Sequence, residues 1–196
     1  MNQHIWMLPH RDEFLRQRTR KIKKVGATEE KLIQDFFDTW DVVSAYGIAA
    51  PQIGSGLRAF IWKGEAMEEP EVIFNPKILR ARGEIKDYDG CLSVPGAYCP
   101  TRRAEMIELT GIDGKGAAFR RKYEGFDARI LQHEIDHLDG VLFIDRIDDL
   151  ADGYSLKEGE PDENGDIHLE HVPLSEELAA FIQRFQRPIP AHALVW

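Results

Sequence analysis

The chain is 196 residues long, 43% hydrophobic, and carries a formal net charge of -9. That length suffices for one compact domain with a buried core. The acidic balance speaks against general nucleic-acid or anionic-membrane binding, and no apolar run is long enough to span a bilayer.

Met1 to Arg20 lacks the charged-then-apolar order of a secretory leader, so a cytoplasmic protein is expected. Two cysteines, Cys91 and Cys99, are too few for a disulfide framework, and each is read as a thiol. The basic run 16–24 reads as a solvated face rather than an RNA contact.

In chain order, Thr28 is placed to cap a helix whose first turn carries Glu29 and Glu30. Leu32, Ile33, Phe36, Phe37, Trp40 and Val43 then recur at helical spacing and mark a buried stripe. Small residues dominate Gly47 to Gly54, where Gln52 is the lone polar side chain. Strands are expected over Leu57 to Trp62, Val72 to Phe74, Glu105 to Ile112 and Ala117 to Tyr123, with Asp113-Gly114 as a hairpin turn. No βαβ alternation is visible. The expected fold is α+β, with antiparallel or mixed sheets around a central metal-binding helix and with an N-terminal and a C-terminal helix.

All of 1–196 is read as a single domain. Within it, 145–172 is an acidic, Gly-containing exposed loop and 173–196 is a C-terminal helix and tail, the helix starting at Ser175.

The central helix carries Gln132-His133-Glu134-Ile135-Asp136-His137-Leu138. Residues four apart share a helical face, so His133 and His137 can hold one metal while Glu134 reaches its open side. Phe126, Ile130, Leu131, Ile135 and Leu138 form the apolar stripe, and Asp139-Gly140 supplies the stop. A catalytic metal held by two histidines needs a third ligand. His168 and His171 are candidates, but they lie in the acidic stretch without a helical frame. Cys91 in Asp89-Gly90-Cys91-Leu92-Ser93 has the better setting, beside a glycine that permits a sharp turn. Cys99 reads as a small buried apolar residue.

Gly47 to Gln52, Gly90 to Ser93 and His133 to His137, in that order, resemble the three signature motifs of the peptide deformylases. The resemblance spans the first amphipathic helix to Asp145. It implies a hydrolase that removes the formyl group from the N-terminal formyl-methionine of nascent polypeptides. It also implies that Cys91, His133 and His137 bind one divalent metal, Fe(II) in the cell, with Zn(II), Ni(II) or Co(II) as replacements. Glu134 becomes the general acid/base, while Gln52 and the Leu92 backbone N–H form the oxyanion hole. Gly47, with Tyr46 beside it, lines the substrate groove, and Phe126, Arg129 and Ile130 wall the methionine pocket. Arg103 becomes a candidate contact to the substrate's backbone carbonyl, and Asp136 orients an arginine or a histidine N–H. N-formylmethionyl peptides are the implied partners, met at the ribosome by a monomer or homodimer, with neither specific DNA nor membrane involved.

The chemistry supports these roles independently. Formamide hydrolysis needs a nucleophile stronger than free water, and a bound metal makes one near neutral pH. Two donors aimed at the developing oxyanion are worth about 3–4 kcal/mol each.

Two positions depart from the family pattern. Ala45 stands where glycine is usual, and would strain the backbone by about 1 kcal/mol if φ were positive there. Asp89 stands where glutamate is usual, and its retracted carboxylate is expected to loosen a salt bridge or reshape the pocket mouth. Asp89 is also the sole support for an alternative, a deformylase-like protein that binds peptides with weak turnover. A metallopeptidase built only on the histidine pair is the third reading.

Overall fold

A computed structural model describes residues 4–160, 162 and 166–193. One helix lies at its centre because both faces of the strand beside it are apolar. The strands, in chain order, are β1 (Gly47–Ala49), β2 (Ala59–Trp62), β3 (Glu71–Arg82), β4 (Ile85–Cys91) and β5 (Val94–Arg103). There follow β6 (Met106–Asp113), β7 (Ala118–Glu124), β8 (Tyr154–Glu158) and β9 (Leu169–Pro173). The helices are α1 (Asp12–Leu15), α2 (Ala27–Trp40), α3 (Gly125–Leu138) and α4 (Glu176–Phe185).

A five-stranded sheet runs β1-β2-β3-β6-β7, and a four-stranded sheet runs β4-β5-β8-β9. Every pairing between named strands is antiparallel. Strand β2 explains the layering. Successive side chains leave opposite faces of a strand, so Phe60 and Trp62 pack on Ala128, Leu131, Ile135 and Leu138 of α3. Ala59 and Ile61 face the other way, onto Leu32 and Phe36 of α2. Helix α3 is thus held against a sheet that is itself backed by a helix.

Helix α3 ends as its sequence anticipates. Asp139 occupies the C-cap and Gly140 follows with φ 76°. A Cβ at Gly140 would lie 2.7 Å from the Arg16 carbonyl carbon, so the backbone of the N-terminal segment passes where no side chain fits. That segment also satisfies the helix end, because the Thr19 backbone N–H and hydroxyl both donate to the Leu138 carbonyl.

Several sequence expectations are corrected. Helix α2 is capped by Gly26, whose N–H donates to Glu29 Oε2 at 3.1 Å; Thr28 lies inside the helix. The Val72–Phe74 strand continues to Arg82, with Pro76 accommodated at a register shift between Phe74 and Lys77. Strands β4 and β5 occupy a stretch whose Gly and Pro content masked them. Ala45 carries no strain, since Asn75 is the one non-glycine residue with positive φ among those described. The basic run is mixed. Arg18, Arg20, Lys21, Lys23 and Lys24 are exposed, whereas the Arg16 side chain is buried and paired with Asp145.

The stretch 145–172 is not one exposed loop, for it holds the β8–β9 hairpin, with Leu156 opposite His171. Residues 161 and 163–165 within it lie outside the described residues, as do 194–196 of the expected tail and 1–3 of the leader reading. Ser175 caps α4, its hydroxyl accepting from the Leu178 N–H at 3.2 Å. Among the described residues, no helix is long and apolar enough to cross a membrane.

Candidate metal centre

Three elements converge on one cavity of about 730 Å³. The first is β1 with the 3₁₀ turn Ala50–Ile53, which carries Gln52. The second is the tip of the β4–β5 hairpin, where the register shifts between Gly90 and Cys91 and leaves the sulfur at the turn. The third is α3. Tyr46, Gly47, Gln52, Cys91, Leu92, Phe126, Arg129, Ile130, His133 and Glu134 all line this space.

Cys91, His133 and His137 bring their donor atoms within 4.8 Å of one another. The sulfur is 3.2 Å from His137 Nε2. A thiolate and two imidazoles at such separations fit a cation with bonds of about 2.0–2.3 Å to nitrogen and sulfur. His168 lies instead against Asp162, and His171 stacks on Tyr154 at 4.1 Å. Neither joins the cluster.

Charge supports the fit. Burial works against a positive charge on His133, yet Asp89 and the Cys91 sulfur outweigh it and raise the imidazole pKa to about 10. A cation bound here would take the place of that proton, with the same two negative neighbours beside it. Burial, then the positive charges of His133, Arg103 and Arg16, drive His137 well below its ordinary value, so it stands as the neutral imidazole a metal requires. Burial also raises Glu134 to about 7, against the pull of His133 and Arg103, and its Oε2 is buried with no partner among the described residues. A carboxyl so poised can exchange a proton near neutral pH.

Asp89 binds more firmly than its shorter side chain suggests. Its Oδ2 accepts from Arg103 Nη2 at 2.6 Å and from the Thr101 hydroxyl at 3.0 Å, and lies 3.6 Å from His133 Nδ1. Its Oδ1 lies 2.8 Å from Arg129 Nε. Burial opposes the charge, but Arg103, His133 and Arg129 outweigh it and hold the carboxyl well below the usual carboxylate range. The expected loosening is absent. On the far side of Arg103, Asp136 receives Nη1 at 2.8 Å and is clamped again by Arg146 Nε at 2.6 Å.

Arg103 is accordingly corrected. It is 2% exposed, both its partners are carboxylates, and it does not line the cavity. Cys99 is fully buried, as expected of apolar filler, and burial pushes its thiol up to about 11.

Sequence reasoning missed two features. Ser93 is fully buried and touches both Gln52 and Cys91, though it stands only two residues after the cysteine. Tyr154 of β8 joins Tyr88 and Tyr98 at the cavity rim, and no local pattern around it announces that placement.

Comparison with known proteins agrees with this arrangement. The family model for polypeptide deformylases matches residues 4–152. A peptide deformylase of Dictyoglomus turgidum is 41% identical over 135 residues, covering 69% of this chain and 87% of that one. The crystal structure of a peptide deformylase from Legionella pneumophila matches with TM-score 0.71 and 34% identity, over 94% of this chain and 92% of that chain. That of the Synechococcus elongatus enzyme, solved in complex with actinonin, matches with TM-score 0.69 and 34% identity, over 75% of this chain and 79% of that chain. With three separated motifs drawn into one cavity and most of the chain matched, this protein belongs to the peptide deformylase family.

Proposed function

We propose that this chain hydrolyses the N-formyl group from the formyl-methionine at the start of new polypeptides and releases formate. The observation that carries the reading is the gathering of Cys91, His133 and His137 beside the Glu134 carboxyl and the Gln52 amide. Cys91, His133 and His137 would hold one divalent cation, Fe(II) in the cell, with Zn(II), Ni(II) or Co(II) able to replace it. That donor set suits borderline metals of this kind. When bound, the cation supplies Lewis acidity, which lowers the pKa of water and polarises the formyl carbonyl.

Glu134 takes the proton from the attacking water and returns it to the departing amine, a double duty suited to a carboxyl near neutral pKa. Gln52 Nε2 and the Leu92 N–H donate to the formyl oxygen as charge builds on it. The Ala49 N–H donates to Gln52 Oε1 at 2.8 Å, which fixes the amide with its nitrogen toward the sulfur, 3.7 Å away. Tyr46 and Gly47 border the peptide. Phe126 and Ile130 offer apolar wall to the methionine side chain, and Arg129, neutralised by Asp89, contributes its aliphatic stem.

One domain, as a monomer or homodimer in the cytoplasm, carries the activity. Formylated N-termini emerge from the ribosome, which supports that particle as the place of encounter.

The test is an oxygen-free preparation loaded with Fe(II) or Ni(II) and assayed for formate from a formyl-methionyl tripeptide. Formate is expected, and Glu134→Ala should abolish it. Peptide binding without formate would favour a mere binding protein; cleavage of an internal peptide bond would favour a metallopeptidase.

A further inference from the structure

Ser93 sits in a chain of hydrogen bonds whose donor and acceptor roles are all determined. Its hydroxyl oxygen lies 2.8 Å from the Trp6 carbonyl oxygen, and a carbonyl can only accept. The single hydroxyl proton must therefore point at Trp6. That leaves lone pairs facing Gln52, whose side chain comes within 3.2 Å. A lone pair requires a donor, so the Gln52 atom it meets is nitrogen. At the other end of the same amide, the Ala49 N–H requires an acceptor, so the atom there is oxygen.

Backbone contacts make the arrangement rigid. The Trp6 N–H donates to the Gln52 carbonyl at 2.7 Å, and the Leu8 N–H donates to the Ser93 carbonyl at 3.0 Å. The segment Ile5–Leu8 is thus laced to both loops that carry the site, and Ile5 and Met7 line the cavity. Trp6 is locked by an edge contact to Phe14 at 4.6 Å and by Arg11 at 4.5 Å over its ring.

We propose that Ser93 is a positioning residue: with its proton committed to the Trp6 carbonyl, it helps to hold the Gln52 amide so that N–H, not C=O, faces the formyl oxygen of the scissile amide. The idea rests on the deformylase reading above. One Gln52 N–H goes to Ser93, and the other points toward the Cys91 sulfur, 3.7 Å away, on the side where the formyl oxygen would lie. A side-chain amide has two nearly isosteric orientations, and the reversed one would aim a lone pair at the developing oxyanion. Removing the hydroxyl takes away one of the two contacts that set the amide's sense and leaves the Ala49 N–H to hold it alone, without removing any group that touches the peptide.

The test compares Ser93→Ala with wild type in two measurements. In steady-state formate release, kcat should fall by about 10²-fold, the cost of one oxyanion donor, while KM stays within about twofold. In ¹H–¹⁵N spectra of the Zn(II)-loaded protein, the Gln52 side-chain amide protons should shift and exchange faster with solvent. Ser93→Thr, which keeps the hydroxyl, should restore both. An unchanged Gln52 amide signal overturns the proposal, as does a Ser93→Ala variant that keeps full kcat or loses only KM. Absence of formate from wild type as well would overturn the deformylase reading, and the spectra would still decide the role of Ser93.

Discussion

Gly47 and Glu134 meet across the cavity so closely that a Cβ on Gly47 would lie 2.5 Å from the Glu134 carboxyl carbon. The glycine on β1 therefore sets the position of the carboxylate on α3. Gly47→Ala should push Glu134 off its place and lower kcat/KM by about 10²-fold, the cost of roughly 1 Å of misplacement. Thermal unfolding should move little, because the displaced group borders a cavity rather than the core. A large loss of Tm with full activity in the surviving fraction would contradict this.

Arg103 is the pivot between two buried carboxylates, Asp89 and Asp136. Arg103→Met leaves Asp89 short of its main counter-charge in a dry setting. Removing one member of such a network costs about 3–5 kcal/mol. Urea unfolding should show that loss as a lower midpoint. A loss below about 1 kcal/mol would mean water reaches the network.

The two thiols should behave differently. Burial raises Cys99 to about 11, favouring its neutral form in the folded state. At pH 8 its thiolate fraction is roughly 10⁻³, so the native protein should leave Cys99 unmodified by a disulfide reagent. A Cys91→Ser background isolates the signal. The raised pKa also means that stability is intact below pH 9 and declines as pH climbs past it, because the unfolded thiol ionises first. Labelling of Cys99 in native protein at pH 8, read by mass spectrometry, would refute its burial.

Metal removal should destabilise the fold through linkage. A cation at a thousand times its Kd contributes about 4 kcal/mol, so chelation should lower Tm by roughly 8–16 °C. In Cys91→Ser the chelator should have little effect. An equal shift in both proteins would mean that another residue is the third ligand.

The centre of the molecule was legible in its sequence because periodicity records burial. The stripe along α3 places His133 and His137 on one face, and Asp139-Gly140 marks the helix end. The hairpin at Asp113-Gly114 and the start of the last helix at Ser175 are short-range signals and were equally readable. The β4–β5 hairpin was hidden, since Gly90, Pro95, Gly96 and Pro100 mimic turn chemistry inside strands. The partners of Arg103 were hidden for a different reason. Its carboxylates lie 14 residues before it and 33 after it, and only the folded sheet and helix bring them together.

Arg16 donates to the Phe185 carbonyl at 2.7 Å and pairs with Asp145. During synthesis Arg16 leaves the ribosome well before its anchors at 145 and 185. This clasp therefore awaits translation of α4, and a nascent copy of this enzyme lacks it until residue 185 has been made.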